Sequence, residues 1–230
     1  MEVEGGSNTK IIVCVYEALG TALLVAAVNL SMGNAAAVGV ALFAIAMFLG
    51  PVSGGHVNPA VTLAVLLREG LSNIMFAIMI MFSQLVGAVI GCLISFGTNH
   101  TKTIDNPIPG QDDIKIVVNG PARLCPPPNM AKKSTEGKIL CEPYNGLAGF
   151  NMLLAEIIGT FIFISVIMSV KYHNGAVDVL NALTVGGTLF GVINIAGPVS
   201  GAAINPAVGL VQSIYMTMVY GSEPIGDKQY

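Results

Sequence analysis

Few side chains in this chain of 230 residues have both the type and the setting to do chemistry. Glu17 and Glu156 are lone carboxylates inside the apolar stretches Ile11–Leu30 and Leu147–Val170. A carboxylate at such a place is costly unless satisfied, so it must either relay protons or accept hydrogen bonds. Of the four cysteines, Cys14 and Cys92 lie within apolar stretches and are inert. Cys125 and Cys141 lie in a polar segment beside Pro126–Pro128 and Pro143, and they are the one plausible disulfide, in an oxidising compartment. The methionines between Met75 and Met81 suit packing or lipid contact rather than a metal. The strongest signal is a repeated asparagine. Gly50–Val61 reads GPVSGGHVNPAV and Gly197–Val208 reads GPVSGAAINPAV, identical at nine of twelve positions.

Both copies end in a triplet, Asn58-Pro59-Ala60 and Asn205-Pro206-Ala207, with a physical use at a helix start. Asn is a strong N-cap, its side-chain oxygen accepting from orphan backbone N–H groups. Pro suits the next position, where no N–H is needed. The cap would use each oxygen and leave each NH₂ free to donate into a channel. Two helix N-termini at one spot add partial positive charge. Such a pore holds a small neutral acceptor and repels cations. Carbonyls of the extended segments Ser53–Val57 and Ser200–Ile204 could line the remainder. Two ordinary Asn-Pro turns are the bland alternative.

The elements that must position these triplets follow from composition. Charged residues make up 10% of the chain, against roughly 25% in soluble domains. Apolar residues make up 53% and the mean hydropathy is +0.74. A soluble surface is excluded, the net charge of −3 gives no footprint for nucleic acid, and disorder needs the opposite composition. A bilayer core needs about 20 apolar residues per helix. Five stretches qualify: Ile11–Leu30, Ala35–Val52, Ile74–Gly97, Leu147–Val170 and Val179–Val199. Ala60–Leu67 is too short to cross and Ala207–Val219 is marginal. The opening MEVEGGSNTK is acidic, unlike a secretory signal.

The repeat orders these pieces. Tyr16-Glu17-Ala18-Leu19-Gly20-Thr21 matches Ala155-Glu156-Ile157-Ile158-Gly159-Thr160 upstream of each triplet. From Glu to the triplet Asn is 41 residues in the first copy and 49 in the second. The eight extra residues are expected in a longer connection around Lys171–Asp178. Three full spans separate the starts of the two copies, so they enter the membrane from opposite faces, as in inverted-repeat transport proteins. Each short apolar run is then a half-helix dipping in from its own side. The expected architecture is an all-α membrane protein: residues 1–97 (two spans, half-helix, third span), a long loop 98–146, and residues 147–230 (two spans, half-helix, no sixth span).

The segments 53–61 and 200–207, the two glutamates and Gln84 of Ser83-Gln84-Leu85-Val86-Gly87-Ala88 resemble the major intrinsic protein family, the aquaporins and aquaglyceroporins. The resemblance covers nearly everything but residues 98–146. It implies a right-handed bundle of six helices and two half-helices, a homotetramer with one pore per subunit, and passive passage of water or small neutral solutes through a lipid bilayer. It implies no cofactor, no metal and no enzymatic chemistry. It also implies that Glu17 and Glu156 accept hydrogen bonds from the loops entering the half-helices, and that His56 faces the lumen. A packed, satisfied His56 is the alternative. Gly87 to Gly91 form a GxxxG pattern suited to close helix packing.

Departures from the family concern selectivity. An Arg normally follows the second Asn-Pro-Ala; here Val208 stands there. Counting from the triplets puts Val38, Ile193 and Ala202 at the other three constriction positions. The ring is wholly aliphatic, so strict water selectivity is not expected, and glycerol or urea are candidate co-permeants. After Val219 the chain turns polar and no sixth span follows. Either the chain continues beyond this sequence, the favoured option, or another polypeptide supplies that wall.

The loop 98–146 exceeds the length of most connections and could bind a membrane partner. Asn29-Leu30-Ser31 and Asn99-His100-Thr101 are N-glycosylation sequons at the ends of odd-numbered spans, on the loop's side. Six of ten basic residues sit in the loop, against the positive-inside rule, but long loops escape it. The loop is therefore placed outside and the N-terminus in the cytoplasm, in a plasma, vacuolar or vesicle membrane. A passive pore leads. A structural subunit with a closed or unused pore, and a proton-coupled transporter using the glutamates, are the competing classes.

Overall fold

The computed structural model describes residues 7–98, 100–104, 114–118, 132–133, 139–140, 146–173 and 179–220. Among these residues seven α-helices follow in order: α1 (Ser7–Leu30), α2 (Ala35–Ser53), α3 (Pro59–Glu69), α4 (Ile74–Gly97), α5 (Gly146–His173), α6 (Val179–Ser200) and α7 (Pro206–Tyr220). All but α3 and α7 are long and apolar enough to cross a membrane. At 1.5 Å per residue α3 reaches only about 17 Å and α7 about 23 Å. They are the half-helices.

The stops have local causes. Met32 and Gly33 take φ of 56° and 73°, and Gly33 N–H donates to the Val28 carbonyl at 2.8 Å, turning the chain out of α1. Asn34 then caps α2, its side chain accepting from Ala37 N–H at 3.0 Å. Gly54 (φ 85°) and Gly201 (φ 87°) end α2 and α6 in the left-handed region that favours glycine.

Packing of the spans depends on absent side chains. On α4, Gly87 and Gly91 lie against the backbone of Ala18 and Ala22 in α1; a Cβ at Gly91 would stand 2.6 Å from the Ala22 carbonyl oxygen. Between α2 and α6, Gly39 and Gly186 face each other, and a Cβ on either would meet the other's carbonyl oxygen at 2.8 or 2.5 Å. Each of these two glycines lies 19 residues before its triplet asparagine, so this crossing joins equivalent positions of the two copies. Gly20 and Gly159, three residues after the glutamates, likewise admit Val57 and Ile204, the residues just before the asparagines. One apolar core runs through Leu24, Leu49, Val57, Phe163, Leu189 and Ile204. Large apolar side chains such as Phe82, Phe161, Leu180 and Ile195 point outward, as a lipid-facing surface requires.

One expectation needs correction. Seven of the eight extra residues of the second copy lie in helices rather than in a longer loop: α5 runs 17 residues past Glu156 where α1 runs 13 past Glu17, and α6 has 22 residues against 19 in α2, while residues 174–178 lie outside the described residues. The membrane body is the expected all-α bundle, and the segment between α4 and α5 adds two short hairpins. Antiparallel β1 (His100–Ile104) pairs with β2 (Ile114–Val118), and β3 (Lys132–Lys133) with β4 (Ile139–Leu140).

Candidate functional site

The two half-helices begin at one place. Asn58 has extended backbone (φ −157°, ψ 119°), and its Oδ1 accepts from Ala60 N–H at 2.9 Å, with Pro59 in the first helical turn. Asn205 does the same for α7, accepting from Ala207 N–H at 3.0 Å after Pro206. The amide nitrogens reach across the repeat. Asn58 Nδ2 donates to the Ile204 carbonyl at 3.0 Å, and Asn205 Nδ2 donates to the Val57 carbonyl at 2.8 Å. The sequence-based expectation left both amide hydrogens for a lumen. The fold takes one from each asparagine, and the carbonyls of Ile204 and Val57 each accept it.

Those carbonyls point inward because Val57 and Ile204 have φ of 41° and 51°. β-Branched residues rarely occupy this region, at a cost of about 1–3 kcal/mol each. The glutamates supply the restraint. Glu17 Oε1 accepts from Ser53 Oγ at 2.7 Å and His56 N–H at 2.9 Å; its Oε2 accepts from Val57 N–H at 2.7 Å and Gln84 Nε2 at 2.8 Å. Glu156 accepts from Ser200 Oγ, Ala203 N–H at 3.0 Å and Ile204 N–H at 2.8 Å. Each carboxylate therefore anchors the residue that precedes the asparagine. Glu17 is wholly buried.

His56 is both packed and beside the cavity. Its Nδ1 lies 3.2 Å from Thr62 Oγ1, and its Nε2 lies 3.2 Å from Lys171 Nζ. Thr62 donates its own proton to the Asn58 carbonyl at 3.2 Å and accepts from Gln84 Nε2 at 3.0 Å. An ammonium can only donate, so Nε2 is the acceptor and Nδ1 carries the ring proton. The histidine is thus held in one tautomer by groups from α3 and α5.

Val38, Ile193, Ala202 and Val208, the expected constriction residues, border a single cavity together with His56, Asn58 and Asn205. No charged side chain among the described residues lines it. Gln212 does, and sequence reasoning passed over it, as it did Thr62 and Lys171. Two of these had a usable signal: Gln212 is four residues past Val208 and Thr62 four past Asn58, one helical turn along the same face. Lys171 had none, since it meets His56 from 115 residues away.

The sequon at Asn29 is overturned. Asn29 has no exposed surface, and its Oδ1 accepts from Gln212 Nε2 at 2.6 Å, because the last turn of α1 faces inward against α7. A glycan has no access there. Asn99, Cys125 and Cys141 lie outside the described residues.

A model of the major intrinsic protein family matches residues 8–220. The chain is 30% identical over 169 residues to a probable aquaporin, TIP3-2 of Arabidopsis thaliana, covering 73% of this chain and 50% of that protein. It is 28% identical over 170 residues to the probable aquaporin AqpM of Archaeoglobus fulgidus, covering 73% and 56%. The chain spans about half the length of these curated relatives. Its fold is similar to the X-ray structure of the aquaglyceroporin from Plasmodium falciparum, with a TM-score of 0.60, 20% identity, and coverage of 96% of this chain and 87% of that one. With the family model extending from the first span through α7, the chain belongs to the major intrinsic protein family.

Proposed function

We propose that this chain is a passive transmembrane channel for water, with leakage of a small neutral solute such as glycerol or urea. The observation that carries this reading is the cavity at which both half-helices start, bordered by Asn58 and Asn205 and, among the described residues, by no charged side chain. The two helix N-termini place partial positive charge there, which disfavours cations without a fixed charge. The ring Val38, Ile193, Ala202 and Val208 asks for no hydrogen-bond match, so it discriminates by size rather than by polarity. The two copies, residues 1–97 and 147–230, each contribute one half-helix to this lumen, and a homotetramer repeats it four times. The loop 98–146 lies outside the cell or organelle, braced by a Cys125–Cys141 disulfide, with the N-terminus in the cytoplasm.

Proteoliposome light scattering with water, glycerol and urea gradients is the test. The expected result is water flux above protein-free vesicles, measurable flux of one solute, and no dependence on a proton gradient. Flux equal to that of empty vesicles would point instead to a structural subunit with a closed pore. Flux that needs a proton gradient would favour coupled transport.

A further inference from the structure

The cavity wall carries a polar side chain that the triplets do not explain. Gln212 lies on α7 one turn beyond Val208, is only 2% exposed, and borders the same cavity. Its Nε2 donates to Asn29 Oδ1 at 2.6 Å, the one hydrogen bond of this side chain among the described residues, and its Oε1 is not one of the sealed, unpartnered polar atoms. With Asn29 presenting Oδ1 at that contact, Gln212 meets it with nitrogen, because two oxygens would repel. In this arrangement the nitrogen is tied to α1 and the oxygen keeps its capacity to accept. An amide oxygen with spare capacity beside a cavity can be satisfied by whatever occupies that cavity.

We propose that Gln212 is a docking point for the O–H or N–H groups of small neutral solutes next to the aliphatic ring, and that it decides which of them pass. The proposal rests on the channel reading above. Val38, Ile193, Ala202 and Val208 have no polar side-chain atoms, so a solute must give up hydrogen bonds to water on entering the ring. Gln212 stands about 6 Å from Val208 along the helix axis. A three-carbon polyol can keep one hydroxyl on its oxygen while the carbon backbone enters the ring. Urea can do the same with an N–H. Water depends on this point less, because neighbouring waters in a file supply acceptors of their own. The side chain thus lowers the entry barrier for donor-bearing solutes relative to water.

The test measures glycerol and urea flux relative to water flux in proteoliposomes carrying the full chain. Gln212→Met keeps the length of the side chain and removes the acceptor. The solute-to-water ratio is expected to fall about fivefold, the scale of one neutral hydrogen bond. Because Gln212→Met leaves Asn29 without this donor, a double variant with Asn29→Leu removes both amides together and guards against a folding defect. It is expected to show the same fall. An unchanged ratio in either variant overturns the proposal while leaving the channel reading intact. A wild-type chain with no flux of any kind overturns both.

Discussion

Replacing Glu17 by Gln tests whether the buried carboxylate is an acceptor or a proton carrier. Four donors converge on its two oxygens, and glutamine offers one oxygen and one NH₂ of nearly the same shape. If the NH₂ replaces Oε2, it opposes both Val57 N–H and the Gln84 amide. If it replaces Oε1, the Ser53 hydroxyl can rotate to accept, but His56 N–H is orphaned. The second arrangement costs less, and still leaves one buried donor unmade, worth about 1–3 kcal/mol. The two surviving bonds become neutral rather than charge-assisted, losing about 1 kcal/mol each. Removing a buried charge returns part of its desolvation cost. The net expectation is a loss of about 2–4 kcal/mol in stability. The damage should spread to the second copy. Once Val57 relaxes from φ 41°, its carbonyl turns away from Asn205 Nδ2 and the link between the asparagines weakens. Glu156→Gln should be milder, since that carboxylate has three donors and is partly exposed. Thermal unfolding of purified protein and water flux in proteoliposomes should therefore fall together, Glu17→Gln further than Glu156→Gln. A Glu17→Gln protein as stable as wild type would refute the anchoring role. Lost flux at unchanged stability, restored by no change other than a carboxylate, would favour proton relay.

Three further outcomes are expected. Asn58→Asp or Asn205→Asp removes the donor to Ile204 or Val57 and adds a carboxylate beside the cavity, so water flux should drop at least about tenfold, equivalent to 1.4 kcal/mol; proteoliposomes report it directly, and wild-type flux would contradict the paired-cap geometry. Val208→Arg should lower glycerol or urea flux relative to water, by adding a cation and fixed donors to the ring; equal solute flux with unchanged water flux would show that Val208 is not at the constriction. Gly186→Val should force α2 and α6 apart, because its Cβ would meet the Gly39 carbonyl oxygen at 2.5 Å, and should lower stability by roughly 3 kcal/mol. An unchanged unfolding temperature would mean that the helices separate at little cost.

Much of this molecule is written locally. A backbone in lipid must satisfy its own hydrogen bonds, so an apolar run of sufficient length becomes a helix whatever surrounds it. Ala35–Val52 and Ile74–Gly97 accordingly appear as α2 (Ala35–Ser53) and α4 (Ile74–Gly97). The Asn-Pro start of a half-helix is also local, since cap and first turn lie within three residues. Helix ends in polar sequence were less legible: α1 begins at Ser7 rather than Ile11, because polar residues continue a helix that apolarity alone does not announce. Partners across the fold had no local trace. Asn58 meets the Ile204 carbonyl from 146 residues away, Lys171 sets the tautomer of His56, and Gln212 buries Asn29 within a tripeptide that otherwise reads as a glycan acceptor. Residue type and spacing determine which groups can donate, accept or cap. Which partner each one finds depends on how the helices come together, and at the α1–α4 and α2–α6 crossings that rests on close approach of backbones at Gly87, Gly91, Gly39 and Gly186, where contact distance rather than sequence pattern selects the neighbour.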